Sequence, residues 1–197
     1  ARSPAWQKCL IFEVPQLAKA NRELADYRAF LIEAERQAKI ASWHQVKEGG
    51  YRTVWSENVE AVIGYTGAQI YDDTTYLAVV HPDDRERVEH LFREANEHPQ
   101  SYDREYRVVR ADGRTIWVRG ITKAEFGAAG EVVHYIGSIQ DITETKRAEQ
   151  AMRDSENLLK EAQRRARLAY WLWDAEAGRY VLAAEAAEIL GLPVEDM

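Results

Sequence analysis

Between residues 102 and 140, hydrophobic positions alternate with polar ones at the period of a β-strand. Within residues 102–110, Tyr106 and Val108 lie two apart on one face, with charged residues interleaved. This two-residue period is typical of a half-buried strand. We therefore predict strands over residues 102–110, 115–126 and 131–140.

Two glycine-containing turns join these three strands. An Asp112-Gly113 pair between alternating runs predicts a tight hairpin, because glycine accepts a positive φ without a Cβ clash. The sequence Gly-Ala-Ala-Gly at residues 127–130 makes the second turn. Three consecutive antiparallel strands form a meander, and its apolar face must be covered by other parts of the chain.

The region before the meander carries patterns that would supply this cover. Pro82 suits the first turn of a helix, and Asp83 and Asp84 are favourable near the positive end of its dipole. Gly64 ends a shorter helical run. The predicted elements are strands over residues 43–47 and 51–56, followed by helices over residues 57–63, 72–79 and 83–96.

Several of these motifs resemble the PAS family of sensor domains. His81-Pro82-Asp83-Asp84-Arg85 is similar to the motif with which the family enters its long helix. The resemblance covers residues 41–143 and implies an α+β fold, with a five-stranded antiparallel sheet and helices on one face, used to sense a ligand, light, redox state or partner. The other matching motifs are Glu105-Tyr106-Arg107-Val108, Asp112-Gly113, Ile116-Trp117-Val118 and Tyr135-Ile136-Gly137 leading to Asp141-Ile142-Thr143.

The resemblance also implies a role for the end of the last strand. In PAS domains, the triplet matched by Asp141, Ile142 and Thr143 links that strand to a signalling helix, and we carry the role over on this match alone. The residue types suit it, because Thr143 can cap the following helix with Glu144 in its first turn. Ile142 is expected to anchor the connection by apolar contact. We call these three residues the joint.

Two helical stretches flank this domain and share a seven-residue hydrophobic repeat. Alternating steps of three and four place one narrow apolar stripe on a helix, a spacing that suits a two-stranded coiled coil. We predict a homodimer through these helices, with a marginal contact at the alanine-rich end because methyl groups bury little area. The first seam is Leu17, Ala20, Leu24, Tyr27, Leu31, Ala34, Ala38 and Ala41, and the second is Ala148, Met152, Ser155, Leu159, Ala162, Ala166 and Ala169.

The two seams are separated by 128 residues, and the correspondence continues from Trp43 to Trp171 and from Gly50 to Gly178. A repeat of this length indicates a duplicated domain. The second copy ends after one hairpin and a short helix, which is too little chain to bury its own core. We therefore expect its apolar residues, Trp171, Trp173, Val181, Leu182, Ile189 and Leu190, to pack against another chain or another part of this one.

These observations predict four segments. Residues 1–40 form an N-terminal signalling helix, and within this segment residues 8–12 are a candidate partner strand from the tail of an earlier domain. Residues 41–143 form the PAS domain and residues 144–169 a linker signalling helix. Residues 170–197 begin a second, truncated PAS domain.

Composition and charge exclude several classes of function. The net charge of −7 lacks the basic face that phosphate recognition needs, so we expect no nucleic-acid partner. No run of about 18 apolar residues occurs, so we expect no membrane contact by this segment. The single cysteine, Cys9, fits a reducing, cytoplasmic setting.

No residue pattern predicts catalysis or a metal site. His90 and Glu94 share a helix face, but no second histidine joins them, and an exposed-helix explanation is simpler. His81 precedes a helix start and is better explained as structural than as a haem ligand. His134 is expected to face solvent or a neighbouring strand.

Residues 41–143 contain no cysteine for a flavin adduct. Trp43, Trp55 and Trp117 leave noncovalent flavin open, although core packing explains them more simply. No cofactor is therefore predicted, and haem or flavin remains an alternative.

The predicted function is non-enzymatic sensing. A small ligand or another cue would act through the joint on a dimeric coiled-coil helix, which controls a histidine kinase or cyclic-di-GMP enzyme outside this chain. One alternative is a purely structural dimerisation spacer, which predicts a filled core. The other is a haem- or flavin-dependent redox or light receptor, which predicts visible absorption. Neither the ligand nor the pocket residues follow from the sequence.

Overall fold

The computed structural model describes residues 5–47, 51–98, 100–128, 132–166, 168 and 171–182. The chain divides into two compact units, Ala1–Thr143 and Glu144–Met197. The elements are, in order, α1 (Ala5–Gln37), β1 (Ile40–Lys47), β2 (Tyr51–Trp55), α2 (Val59–Ile63), α3 (Asp73–Val79), α4 (Pro82–Glu97), β3 (Tyr102–Val109), β4 (Thr115–Phe126), β5 (Val132–Asp141), α5 (Thr143–Arg165), β6 (Trp171–Asp174) and β7 (Arg179–Leu182).

The centre of the first unit is a five-stranded antiparallel sheet in the order β2-β1-β5-β4-β3. The predicted hairpin joins β3 to β4, and Gly113 in its turn has a φ of 81°, which a side chain would disfavour. In β4, burial alternates along the strand, so Ile116, Val118 and Thr122 face the interior. Strand β1 pairs with β5, and Ile40 lies opposite Gln140 at one end of this pairing. The predicted α+β sheet is therefore confirmed.

Helices α2, α3 and α4 cover one face of this sheet, as predicted. Gly64 ends α2 in the left-handed conformation, with a φ of 79°. Burying each large aliphatic side chain of the core contributes about 1.5–3 kcal/mol relative to exposure. The largest fully buried side chains are Ile63, Ile70, Ile139, Val80, Val88, Val108 and Val118.

The corner between α3 and α4 is held by side chains bonded to backbone groups. Asp72 and Thr75 form a capping box at the start of α3. His81 caps α4, since its Nδ1 accepts from the Asp83 N–H at 3.3 Å. Arg85 donates to the carbonyls of Leu77, Ala78 and Val80, which closes the corner. His81 thus has the structural role that the sequence predicts.

Helix α1 runs for 33 residues and includes residues 8–12. The prediction that these residues form a partner strand is therefore wrong, because they are helical. Near its end the helix contacts the domain, where the Ser42 hydroxyl donates to Glu35 at 2.5 Å and Arg28 pairs with Glu57. The seam residues Leu17, Leu24 and Leu31 are solvent-exposed, and Leu24 is 69% exposed.

The second unit consists, in its described part, of α5 and the β6–β7 hairpin. The seam residues Met152 and Leu159 of α5 are exposed, as are Ala162 and Ala166. In the hairpin, Tyr180 contacts the rings of Trp171 and Trp173 at centroid distances of 5.1 and 4.8 Å. Val181 and Leu182 belong to β7, whereas Ile189 and Leu190 of the predicted short helix lie outside the described residues.

Within the described ranges, we find no helix with the length and apolar character that crossing a membrane requires.

Candidate ligand-binding site and signalling joint

A cavity of about 50 Å³ lies in the first unit between the inner face of the sheet and the helices. The sheet contributes residues from all five strands, and α4 contributes Phe92 and Ala95. Residues at the start of α3 close one side. The lining comprises Trp43, Gln45, Thr53, Trp55, Asp72, Asp73, Tyr76, Phe92, Ala95, Tyr102, Tyr106, Gly120, Thr122, Tyr135 and Ile139.

Aromatic rings form much of the cavity wall. Trp55 stacks on Tyr76 at a centroid distance of 5.6 Å, and Trp43 lies 6.2 Å from Trp55. Phe92 and Tyr106 also contact the ring of Tyr76. Such contacts stabilise a pair by about 0.5–1.5 kcal/mol beyond area burial. Tyr76 is therefore the centre of a packed aromatic cluster.

Two glycines of the sheet leave room for these rings. A Cβ atom on Gly137 would lie 2.6 Å from the Trp43 ring, and 2.3 Å from the Ile121 carbonyl oxygen. A Cβ atom on Gly120 would lie 2.9 Å from the Tyr106 hydroxyl. The distances to the Trp43 ring and to the Tyr106 hydroxyl are too short for a carbon contact. Glycine at these positions therefore lets the two aromatic side chains lie against the sheet.

Phenol hydroxyl groups in and around the cavity are satisfied internally. The hydroxyls of Tyr76 and Tyr106 share a hydrogen bond of 2.9 Å. The Tyr135 hydroxyl donates to the Ala95 carbonyl at 2.6 Å. Burial raises the pKa of both Tyr76 and Tyr106, because the phenolate would lose its hydration. These phenols therefore stay neutral across the physiological range.

Gln45, Asp72 and Asp73 add hydrogen-bond acceptors to the cavity. The Gln45 amide nitrogen donates a long hydrogen bond of 3.4 Å to Asp73 Oδ1. Its Oε1 atom is buried and has no hydrogen-bond partner among the described residues. The Asp72 carboxylate accepts from the Thr75 N–H and hydroxyl, and these bonds lower the pKa of Asp72. Asp72 is therefore a fixed negative charge beside the cavity.

The joint is bonded to the backbone of Trp117 in β4. The Ile142 N–H donates to the Trp117 carbonyl at 2.9 Å, and the Trp117 N–H donates to the Thr143 hydroxyl at 3.0 Å. The Thr143 N–H donates to Asp141 Oδ1 at 2.9 Å. These bonds differ from the predicted cap, since α5 begins at Thr143 itself and the Thr143 hydroxyl holds β4. Ile142 is partly buried.

An ion pair joins α4 to β3 beside Trp117, the residue that contacts the joint. Asp84 Oδ2 accepts from the backbone N–H of Arg107 at 2.7 Å and from its Nε at 3.0 Å, and Oδ1 accepts from a terminal nitrogen at 2.9 Å. These bonds lower the pKa of Asp84. The Arg107 guanidinium lies 5.8 Å from the centroid of the Trp117 ring. We call the Asp84–Arg107 pair the clasp.

The predicted site residues thus fall into three groups. Trp43 and Trp55 line the cavity, whereas Trp117 contacts the clasp and the joint. The joint residues lie together at the end of β5. The seam residues from Leu17 to Ala34 lie on the surface of α1, and those from Ala148 to Ala162 lie on the surface of α5. The predicted extension of the first seam to Ala41 is wrong, because Ala41 is fully buried in β1. His134 pairs with Glu125 on the neighbouring strand at 3.0 Å, and His90 lies 3.9 Å from Glu94.

The sequence identifies Arg107 only as part of a matching motif and assigns no site role to Gln45, Asp73 or Arg107. The Asp112-Gly113 turn could have located Arg107, because the hairpin register places it opposite Trp117. No sequence signal joins Gln45 to Asp73, since they lie 28 residues apart and meet only in the folded domain. Among the described residues, no group of three or more histidine, cysteine, aspartate or glutamate side chains is arranged to hold a metal ion.

The fold and the cavity together define the class of this domain: an antiparallel sheet that encloses a small internal site beneath helices. Residues 52–139 match the family model described as the PAS fold. The chain belongs to the PAS family of sensor domains.

Known structures support this assignment. A sensory box histidine kinase/response regulator from Burkholderia thailandensis is 31% identical, with a TM-score of 0.51, and the match covers 66% of this chain and 98% of that one. The N-terminal domain of a diguanylate cyclase with a PAS/PAC sensor from Marinobacter aquaeolei has a TM-score of 0.50 over 55% of this chain and 99% of that one. At 22% identity, the latter supports the fold alone.

Curated relatives match over shorter stretches. The sensor protein FixL of Bradyrhizobium diazoefficiens is 30% identical over 106 residues, which is 54% of this chain and 21% of FixL. An uncharacterized protein of Sinorhizobium fredii is 40% identical over 75 residues, which is 38% of this chain and 9% of that protein. The chain therefore spans less than a quarter of either curated relative.

Proposed function

We propose that this chain is the sensory part of a signalling protein, in which the state of the cavity is passed through the joint to α5. The observation that carries the proposal is the pair of hydrogen bonds between the joint and Trp117. The joint is continuous with α5, which begins at Thr143. A change in β4 at Trp117 therefore acts directly on the start of the helix.

Helix α4 connects the cavity to this contact. It lines the cavity through Phe92 and Ala95 and carries Asp84 in its first turn. A ligand that moves α4 changes the clasp, and the clasp lies against Trp117. A ligand shifts an equilibrium between two arrangements of a protein only by the difference in its affinity for them. The proposed signal is therefore a shift between two arrangements of α4, Arg107 and Trp117.

The proposed output is a change in helix pairing within a homodimer. The apolar seam of α5 is exposed along its length, and Met152 is 67% exposed. Exposed apolar stripes at seven-residue spacing favour pairing with a second helix. Burying only methyl groups at Ala162 and Ala166 keeps that pairing weak, so that a small free energy can change it.

The proposed organisation is the one predicted from the sequence. Residues 41–143 sense, residues 144–169 transmit, and residues 170–197 begin a second PAS domain. A histidine kinase as the output domain is supported by the similarity to the sensory box histidine kinase/response regulator and to the sensor protein FixL. A cyclic-di-GMP enzyme is the second candidate.

The cavity bears on the two alternative functions. A structural spacer predicts a filled core, and the cavity counts against it. Haem or flavin would need far more room, since sites for drug-sized ligands measure about 300–1,000 Å³. A cavity of about 50 Å³ favours a compact ligand. A visible absorption spectrum of the purified chain would support a haem or flavin receptor instead.

The experiment that tests transmission removes the guanidinium of Arg107. Arg107→Met keeps an unbranched side chain but breaks the clasp and the contact with Trp117. We expect faster amide hydrogen exchange in the joint and in the first turn of α5. The matched control is Arg119→Met, since Arg119 pairs with Asp103 across the same hairpin, at an exposed site. Equal exchange at the joint in the two variants would contradict the proposal.

A further inference from the structure

The cavity presents negative charge and acceptor atoms. Among the lining residues, two are carboxylates, Asp72 and Asp73, and none is lysine, arginine or histidine. The Asp72 carboxylate is held in its charged form by the Thr75 N–H and hydroxyl. An anion at this site would meet like charge, whereas a cation would meet opposite charge in a region of low dielectric.

Gln45 provides an independent observation that points to a ligand donor. Because a carboxylate only accepts hydrogen bonds, the Gln45 amide nitrogen belongs beside Asp73, and this orientation fixes the position of Oε1. Oε1 is then a buried acceptor without a partner in the described part of the chain. Buried polar atoms are rarely left in that state, so the site lacks a donor that a ligand would supply.

The aromatic wall favours the same class of ligand. Trp43 and Trp55 present indole rings to the cavity, and Tyr76 and Phe92 add two further rings. A cation within about 6 Å of an aromatic face is attracted by the ring quadrupole, most strongly with tryptophan. The negative charge, the acceptor atoms and the aromatic rings of the cavity therefore all favour a ligand that is a cation and a hydrogen-bond donor.

The volume limits the size of that ligand. One ordered water needs about 10–15 Å³ of cavity volume, so a cavity of about 50 Å³ accepts a group of few non-hydrogen atoms. An amidinium or a short alkylammonium meets this limit.

We propose that the cavity binds a small organic cation whose N–H groups donate to Gln45 Oε1 and to the Asp73 carboxylate. This inference rests on the proposed function, since it treats the cavity as the sensing site, and it names the ligand class of that site.

Three probes of the same shape test the charge requirement. Acetamidinium, acetamide and acetate are planar, have equal numbers of non-hydrogen atoms, and carry positive, zero and negative charge. Isothermal titration calorimetry on the full 197-residue chain, at probe concentrations in the millimolar range, should give binding at least tenfold tighter for acetamidinium than for acetate. Equal affinities, tighter binding of acetate, or no heat with any probe would overturn the proposal.

The site of binding is tested in the same wild-type chain by nuclear magnetic resonance. Acetamidinium should shift the indole N–H signals of Trp43 and Trp55 and leave that of Trp171 unchanged, because Trp171 lies in the second unit. Shifts confined to tryptophans outside the cavity would overturn the assignment of the site.

Two variants test the named contacts. Gln45→Met removes the acceptor at similar volume, and Asp73→Asn removes the charge, so each should weaken acetamidinium binding about tenfold. The matched control is Glu60→Gln, because Glu60 is also an acid in the first turn of a short helix but is exposed. Circular dichroism checks the folding of each variant. If one does not fold, the probe series on the wild-type chain still decides the proposal.

Failure of this inference is distinguishable from failure of the proposed function. Binding is measured without reference to the joint or α5, whereas transmission is measured by hydrogen exchange after Arg107→Met. Loss of selectivity among the probes with normal coupling to the joint would overturn only the ligand class. Selective binding without coupling would overturn only the transmission.

Discussion

Two hairpins separated by 128 residues in sequence have very different surroundings. In the first, β1 lies between β2 and β5, Ala41 is fully buried and Trp43 is partly buried. In the second, β6 pairs only with β7 within the described residues, and Trp171 is 60% exposed. The residue types are similar, so burial comes from the strands that complete the sheet. The first hairpin therefore buries its aromatic side chains because it lies within a five-stranded sheet.

The largest expected effect comes from truncating a core side chain of the first unit. Ile63 is fully buried, and Ile63→Ala should lower the free energy of unfolding by about 3–4 kcal/mol, because it removes apolar contacts and leaves a void. Leu172→Ala in β6, where Leu172 is 60% exposed, should change it by less than about 0.5 kcal/mol. Urea unfolding measures both. A similar loss in both variants would break the comparison.

The next effect concerns the exposed seam of the second unit. Ala162→Leu combined with Ala166→Leu adds apolar groups at about 0.8 kcal/mol per buried CH₂, so we expect dimer dissociation to require at least tenfold greater dilution. Analytical ultracentrifugation over a concentration series measures this. Serine at the same two positions is the control and should weaken the dimer. Unchanged dissociation with leucine would count against pairing through this seam.

The clasp should give a smaller effect that depends on pH. Asp84→Asn replaces a carboxylate that is 11% exposed and should destabilise the first unit by about 1–2 kcal/mol at pH 7. Since Arg107 holds the pKa of Asp84 below its usual value, the carboxylate stabilises the fold above the pKa it has in the unfolded chain. This contribution is lost as the pH falls through the lowered, folded-state pKa.

Unfolding of both proteins between pH 7 and pH 3 checks this prediction, and the difference between them should shrink towards the acidic end. Asp103→Asn is the control, because Asp103 pairs with Arg119 at an exposed site and surface pairs contribute little. A difference between wild type and Asp84→Asn that stays constant with pH would contradict the assigned charge.

The smallest expected effect is that of removing the second hairpin. A chain that ends after residue 166 should retain the unfolding free energy of the first unit within about 0.5 kcal/mol, because that unit has its own core. Differential scanning calorimetry measures this. A clear loss of stability would mean that the first domain depends on residues 167–197.

Local patterns in the sequence predict most of the fold. Alternation, the Asp112-Gly113 turn and the Pro82 helix start locate the strands and helices to within a few residues, because each is a short-range preference. The strand predicted at residues 8–12 is wrong, because these residues belong to the continuous helix α1. The Thr143 hydroxyl accepts a hydrogen bond from the Trp117 N–H in β4. Local patterns do not predict this contact, because the two residues lie 26 positions apart.

The site was harder to predict than the fold. The amide nitrogen of Gln45 and the carboxylate of Asp73 meet only when β1 lies beside the start of α3. The register of β3 and β4 follows from the turn, so the pairing of Arg107 with Trp117 could have been predicted. The hydrogen bonds that Arg107 donates to Asp84 could not have been predicted, because they require the position of α4 over the sheet.

The proposed transmission requires the clasp and the joint to be energetically coupled through Trp117. The most direct measurement is a double-mutant cycle of Arg107→Met and Thr143→Val, with the hydrogen-exchange free energy in the first turn of α5 as the readout. Coupling predicts that the two effects are non-additive by more than about 0.5 kcal/mol. Additive effects would contradict the claim.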